Sequence, residues 1–157
     1  MLIIPRPRVL CVDDDEDSRA MLVALLKLAS IEAKAVGTAA QALSLIQAEP
    51  FDLCLLDGWL PEIDGFELCR RMRALDSQIP ILFFSGAAFP ADEKKGIAAG
   101  ADAYVPKPNI NELLARVEQL TSHRERSVLP QINPSAQVVP LVRPGDACTW
   151  KRLEAPN

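Results

Sequence analysis

Asp57 ends the apolar run FDLCLL (51–56) and is followed by Gly58, Trp59 and a proline turn, a place where a bare carboxylate calls for a role. Three further apolar runs end in polar residues: RVLCV (8–12) leads into Asp13, Asp14 and Asp15, IPILFF (79–84) into Ser85, and DAYV (102–105) into Pro106 and Lys107. Two carboxylates about 4 Å apart repel by ~4 kcal/mol at an effective dielectric near 20, so such an acidic set needs a counter-ion. Carboxylate oxygens with a main-chain carbonyl and water suit a hard divalent cation, Mg2+, whereas zinc would ask for His or Cys in the set. Lys107 adds a positive point charge and Ser85 a hydroxyl donor, groups fitted to phosphoryl oxygens. Asp57 is left as the nucleophile, and its attack on a phosphoryl group gives a labile acyl phosphate. Taken one at a time, these residues have plainer uses: Asp13 to Asp15 as helix caps, Ser85 with Gly86 as a turn, Lys107 in solvent. Taken together at four strand ends, they favour one shared crevice.

The elements that must carry them alternate along the chain. Strands are read at 8–12, 32–36, 51–56, 79–84 and 102–105, with helical patterns near 16–30, 39–48, 65–75, 90–99 and 110–122. A (βα)5 order of this kind predicts an α/β fold with a parallel five-stranded sheet between two helical layers. Thr38 with Gln41, Asp64 with Glu67 and Asn109 with Glu112 have the spacing of reciprocal N-terminal caps, and Gly100 suits a left-handed residue after a helix end. Ile110, Leu113, Leu114, Val117 and Leu120 form one apolar stripe. The stretch ADEKKGIAAG is weakly apolar and contains Gly96, which places it among the least stable elements and makes it a candidate mobile part.

With 157 residues, 49% apolar and 24% charged, the chain has the composition of one globular domain with a remainder. Residues 1–7 read as an N-terminal extension, 8–124 as the domain, and 125–157 as a Pro-rich extension that is flexible or docks elsewhere, VVPLV and Trp150 favouring docking. A net charge of -4 argues against a direct nucleic-acid partner. No signal peptide and no stretch of membrane-spanning length is found, so the expectation is a cytoplasmic protein without membrane attachment. Cys11, Cys54, Cys69 and Cys148 show no CxxC pairing and read as structural thiols.

The motifs VDDD, LLDGWLPEIDGFEL, ILFFSGA and AYVPKP, in this order and spacing, resemble the receiver domain of two-component response regulators over residues 7 to 122. The resemblance implies a flavodoxin-like three-layer sandwich with strand order 2-1-3-4-5. By position it implies Asp57 as phosphoacceptor, Asp13 and Asp14 as the acidic pair at an Mg2+ site completed by Asp57 and the main-chain carbonyl of Trp59, Ser85 as the switch hydroxyl, Tyr104 as the aromatic that moves with it, Lys107 as the motif lysine, and a cis bond before Pro108. Gly58, Trp59 and Ala87 flank the acceptor with sizes that depart from the common pattern and bear on the lifetime of the phosphorylated state. Pro106, directly before Lys107, restricts the switch region.

The function so implied is a phosphorylation switch rather than an enzyme acting on a separate substrate. Phosphate would arrive from a histidine kinase or histidine phosphotransfer protein, because the chain's one histidine, His123, lies beyond the last apolar stripe. A downstream protein would read the changed surface, and a homodimer through the face of helix four, strand five and helix five is a further expectation. Two alternatives are weighed. One is a phosphate-independent interaction module. The other is an Mg2+-dependent aspartyl-phosphate phosphohydrolase using Asp13 and Asp15, which would ask for Thr or Val where Asp17 stands.

Overall fold

The computed structural model describes residues 5–86 and 89–128, with side chains to residue 122. Strands β1 (Arg8–Val12), β2 (Glu32–Val36), β3 (Leu53–Leu56), β4 (Ile81–Ser85) and β5 (Ala103–Pro106) alternate with helices α1 (Glu16–Leu28), α2 (Ala39–Ala48), α3 (Gly65–Leu75), α4 (Pro90–Ala98) and α5 (Ile110–Val128). All pairings are parallel, in the order β2-β1-β3-β4-β5. This is the α/β flavodoxin-like sandwich expected.

Alternation along each strand sends successive side chains to opposite faces, and both faces are covered. Leu10, Val12, Cys54, Leu56, Ile81 and Phe83 pack with α2 and α3 through Ala39, Ala42, Phe66, Leu68, Cys69 and Met72. Val9, Cys11, Leu53, Leu55, Leu82, Phe84 and Val105 pack with α1 and α5 through Leu22, Leu26, Leu113 and Val117. Burial pushes the Cys11 thiol up to about 12 and the Cys69 thiol up to about 11, so both stay protonated and behave as small apolar groups. Cys148 and Trp150 lie outside the described residues, as do Ala87 and the proposed extension from residue 129 onward. No helix among the described residues is long and apolar enough to cross a membrane.

Several boundaries differ from the sequence expectation. The third strand begins at Leu53, because Asp52 turns its carboxylate to the Arg8 N–H. The fourth begins at Ile81, since Pro80 has no N–H to donate, although its carbonyl accepts from the Cys54 N–H. The fifth includes Pro106, tolerable on an edge strand with no further neighbour. Helix α5 runs to Val128, past both residue 122 and the boundary read at 124. The side chain of His123, on this last part of the helix, is outside the described ones.

The caps form with variations. Asn109 Oδ1 accepts from the Glu112 N–H, but the Glu112 carboxylate accepts from the Asn109 side-chain amide, because the Asn109 backbone N–H donates to the Pro106 carbonyl. Thr38 accepts from the Gln41 N–H while Gln41 reaches the Gly37 N–H, one residue before the expected position. Asp64 accepts from the Glu67 N–H at 2.7 Å, but the Glu67 carboxylate is taken by Arg70 and Arg71. Asp64→Ala should therefore lower stability by ~1 kcal/mol, the usual loss of one N-cap, read as a shift in urea midpoint.

Candidate functional site

The sheet order places β1 beside β3, with consecutive connections leaving toward opposite edges, so a crevice opens above their carboxyl ends. The ladder continues one step beyond the strands. The Asp13 N–H donates to the Val36 carbonyl at 3.1 Å, the Asp57 N–H to the Val12 carbonyl at 2.9 Å, and the Lys107 N–H to the Ser85 carbonyl at 2.9 Å. Backbone pairing thus fixes the Cα atoms of all three residues at one rim.

Carboxylate oxygens of Asp13, Asp14 and Asp57 lie within 4.8 Å of one another. Lys107 Nζ donates to Asp13 Oδ2 at 2.8 Å and stands 3.7 Å from Asp57 Oδ2. Asp13 is only 2% exposed, and its other oxygen accepts from the Asp15 N–H. Asp57 Oδ1 is buried without a hydrogen-bond partner among the described residues. Burial holds the Asp57 carboxyl above the usual carboxylate range, against the pull of Lys107, of hydrogen bonding from Ser85 and of the Trp59 N–H; the Asp13 charge adds to the rise. Burial pulls the Lys107 ammonium down, yet its bond to Asp13 and the Asp57 charge outweigh this, and it is held above its ordinary value.

Three carboxylates against one ammonium leave two negative charges in the cluster. The partnerless Oδ1 and an all-oxygen donor set fit a hard divalent cation, and no sulfur or imidazole that would suit zinc belongs to the cluster. Asp15, by contrast, is used locally: its carboxylate caps α1 by accepting from the Ser18 N–H at 2.8 Å. The Asp13 and Asp15 pair that a phosphohydrolase reading needs is therefore not gathered at the crevice.

Ser85 is fully buried at the end of β4, next to Gly58, where a Cβ would stand 2.8 Å from its hydroxyl oxygen. Gly58 thus leaves room for this hydroxyl. Tyr104 stacks on Phe83 with ring centroids 5.6 Å apart, and Phe83 meets Phe66 at 5.2 Å, so an aromatic row links β5 to α3. Burial raises the Tyr104 phenol above its ordinary value, while hydrogen bonding with Ser85 draws it back. Trp59, two residues after Asp57, is 63% exposed. The peptide bond from Lys107 to Pro108 is cis, as the resemblance implies.

Two residues not singled out from the sequence also shape the rim. Gly65 opens α3, and a Cβ there would clash with the main-chain carbonyl oxygen of Asp57. Its one signal is a glycine at a first helical position, where most residues are better helix formers. Arg19, on α1, donates from Nη1 to the carbonyls of Asp13 at 2.8 Å and Asp14 at 2.9 Å. No sequence spacing announces such a contact.

A sequence model described as "Response regulator receiver domain" matches residues 9–118. Over 113 residues the chain is 39% identical to the DNA-binding response regulator MtrA of Mycolicibacterium smegmatis, covering 71% of this chain and 49% of that protein. The chain spans about half the length of the first curated relatives it matches. Among solved structures, a CheY-like receiver domain protein from Methanospirillum hungatei superposes with TM-score 0.73 at 30% identity, covering 78% of this chain and 99% of that one. The response regulator TrrA of Thermotoga maritima, solved in complex with Mg2+ and BeF, superposes with TM-score 0.67 at 28% identity, covering 73% and 98%.

Proposed function

The chain belongs to the response regulator receiver domain family, and from that premise we propose that it accepts a phosphoryl group on Asp57 and thereby switches a protein-binding surface. The observation that carries this reading is the Asp57 carboxylate itself: one oxygen is buried without a hydrogen-bond partner among the described residues, the other is 3.7 Å from Lys107, and the carboxylate has an oxygen within 4.8 Å of oxygens of Asp13 and Asp14. In transfer, an Asp57 oxygen bonds to phosphorus as the bond from phosphorus to the donor imidazole nitrogen breaks, and the donor leaves as neutral imidazole after taking a proton. Lys107 offsets charge on the phosphoryl oxygens. Asp13, Asp14, Asp57 and the main-chain carbonyl of Trp59 are the groups that would hold Mg2+. The ion, when bound, supplies Lewis-acid neutralisation of the phosphoryl oxygens.

The Ser85 hydroxyl turns toward the new anion. Tyr104, coupled to Ser85 by hydrogen bonding, follows, so a charge change at the crevice alters the face of α4, β5 and α5. That face is where a downstream protein or a second copy of this chain would dock. The donor is a histidine kinase or phosphotransfer protein, the setting is cytoplasmic, and residues 8–124 are the unit that switches. Its chemistry is confined to its own phosphorylation and dephosphorylation.

Incubation with Mg2+ and acetyl phosphate tests the reading. A phosphoryl adduct in the intact mass and a change in Trp59 fluorescence, in a Trp150→Phe background, are expected, and both should vanish in Asp57→Asn. The same variant should be more stable than the parent at pH 7 without divalent cations, by ~1 kcal/mol, because a desolvated anion is gone. The sign follows from the raised carboxyl: protonation favours the folded state, so the parent's penalty grows as pH rises from the ordinary carboxylate range through the folded value. Below that window both proteins carry a neutral group and the difference disappears. An adduct retained in Asp57→Asn would move the acceptor to another residue.

A further inference from the structure

Asp14 presents its carboxylate to the crevice, but no hydrogen bond or ion pair holds that carboxylate among the described residues. Where that carboxylate can reach therefore depends on the backbone that carries it. What fixes that backbone is Arg19, one turn into α1. A single guanidinium nitrogen, Nη1, donates to the carbonyls of both Asp13 and Asp14, and the Arg19 N–H donates to the Asp15 carbonyl at 3.1 Å. The guanidinium makes no ion pair with an acidic side chain among the described residues. Its contacts at the rim are with peptide carbonyls.

The space for it comes from a third element. Gly37, just after β2, stands so close that a Cβ there would lie 2.9 Å from Arg19 Nη1 and 3.4 Å from Cζ. A side chain at 37 would push the guanidinium away from the two carbonyls. Neither α1 nor the β2 end touches the reacting atoms, yet together they clamp the loop that carries two of the three carboxylates.

We propose that Arg19, seated against Gly37, is a positioning residue for cation binding: it locks the Asp13–Asp14 backbone so that the Asp14 carboxylate faces Asp57. The proposal rests on the reading of the crevice as an Mg2+ site. Residues that hold metal ligands from behind typically govern affinity tenfold or more, and a carboxylate with no other restraint is a strong case.

Charge and position predict opposite signs here. As a mere cation near the crevice, Arg19 repels Mg2+, so deleting its charge should tighten binding. As a clamp, it should do the reverse. In Arg19→Gln the Mg2+ dissociation constant, measured by calorimetry on the full chain with Mg2+ alone, should rise about tenfold. Gly37→Val keeps the charge and displaces the guanidinium, and should weaken Mg2+ to a similar degree. The double variant should be no weaker than Arg19→Gln, because both changes break one contact. Urea midpoints taken without Mg2+ identify the conditions in which each variant is fully folded, and the constants are compared only there.

Tighter or unchanged binding in Arg19→Gln overturns the proposal, as does an unchanged constant in Gly37→Val, or additive losses in the double variant. A parent protein that binds no Mg2+ at millimolar concentration sinks the metal reading of the crevice itself, and the clamp with it. A parent that binds while the variants match it sinks the clamp alone.

Discussion

Lys107→Met is expected to destabilise the protein by ~3 to 5 kcal/mol in the absence of divalent cations, the loss seen when one partner of a buried ion pair is removed. The reason is Asp13, 2% exposed, one of whose oxygens is held by the Lys107 ammonium at 2.8 Å. With the ammonium gone, that buried oxygen is left without its partner beside Asp57, itself already disfavoured as an anion by burial. Methionine fills much of the same volume, so the deficit reports charge rather than a cavity. Two controls separate the causes. Adding Asp13→Asn should recover most of the loss, since a neutral amide leaves no uncompensated charge. Saturating Mg2+ should narrow the gap, because three carboxylates without their ammonium gain more from a cation than the parent does. Urea midpoints of the three proteins, with and without Mg2+, decide the matter; a deficit that neither Asp13→Asn nor Mg2+ reduces would place the role of Lys107 in packing, for instance against the Phe84 ring 5.7 Å from its Nζ.

Much of this arrangement was readable from the chain because it depends on local pattern. Apolar runs of strand length set the sheet, and a polar residue directly after a run must sit at the strand's carboxyl end, where parallel topology gathers such residues. The boundaries that moved did so for physical reasons that a pattern omits. The apolar stripe of α5 fades after Leu120, but SHRERSV contains neither glycine nor proline to stop a helix, and the arginines and glutamate in it are good helix formers, so the helix continues. The Glu67 half of the expected cap on α3 was lost to nearer cations, Arg70 and Arg71. Gly58, singled out from the sequence only for its small size, is accounted for by the hydroxyl of Ser85 at its back. Such close approaches join residues far apart in sequence, and no periodicity records them.

Gly65 gives the sharpest case of this kind. At a first helical position alanine is intrinsically better than glycine by up to ~1 kcal/mol, so a sequence argument predicts that Gly65→Ala stabilises α3. The structure reverses the sign. A Cβ at 65 would clash with the Asp57 carbonyl oxygen and stand 3.0 Å from the Asp57 carbonyl carbon and from the Gly58 Cα. These are backbone atoms, locked from both sides: the Asp57 N–H is bonded to Val12 and the Gly58 carbonyl to the Gly65 N–H at 3.0 Å. They cannot turn aside as a side chain can. Overpacking of this sort costs ~1 to 3 kcal/mol or more and outweighs the propensity gain. The displaced atoms also belong to Asp57, the proposed acceptor, so relief of the clash has to move it relative to Lys107 and Asp13, and adduct formation should slow at least tenfold, as misplacement of reacting groups by about 1 Å commonly does. Gly58→Ala is the natural comparison. Its Cβ would meet a side-chain oxygen, Ser85 Oγ, at 2.8 Å, which a rotamer change relieves, so its stability loss should be the smaller of the two. A urea midpoint for Gly65→Ala at or above the parent's, with an unchanged rate of adduct formation, would mean that the α3 entry yields where the geometry says it cannot.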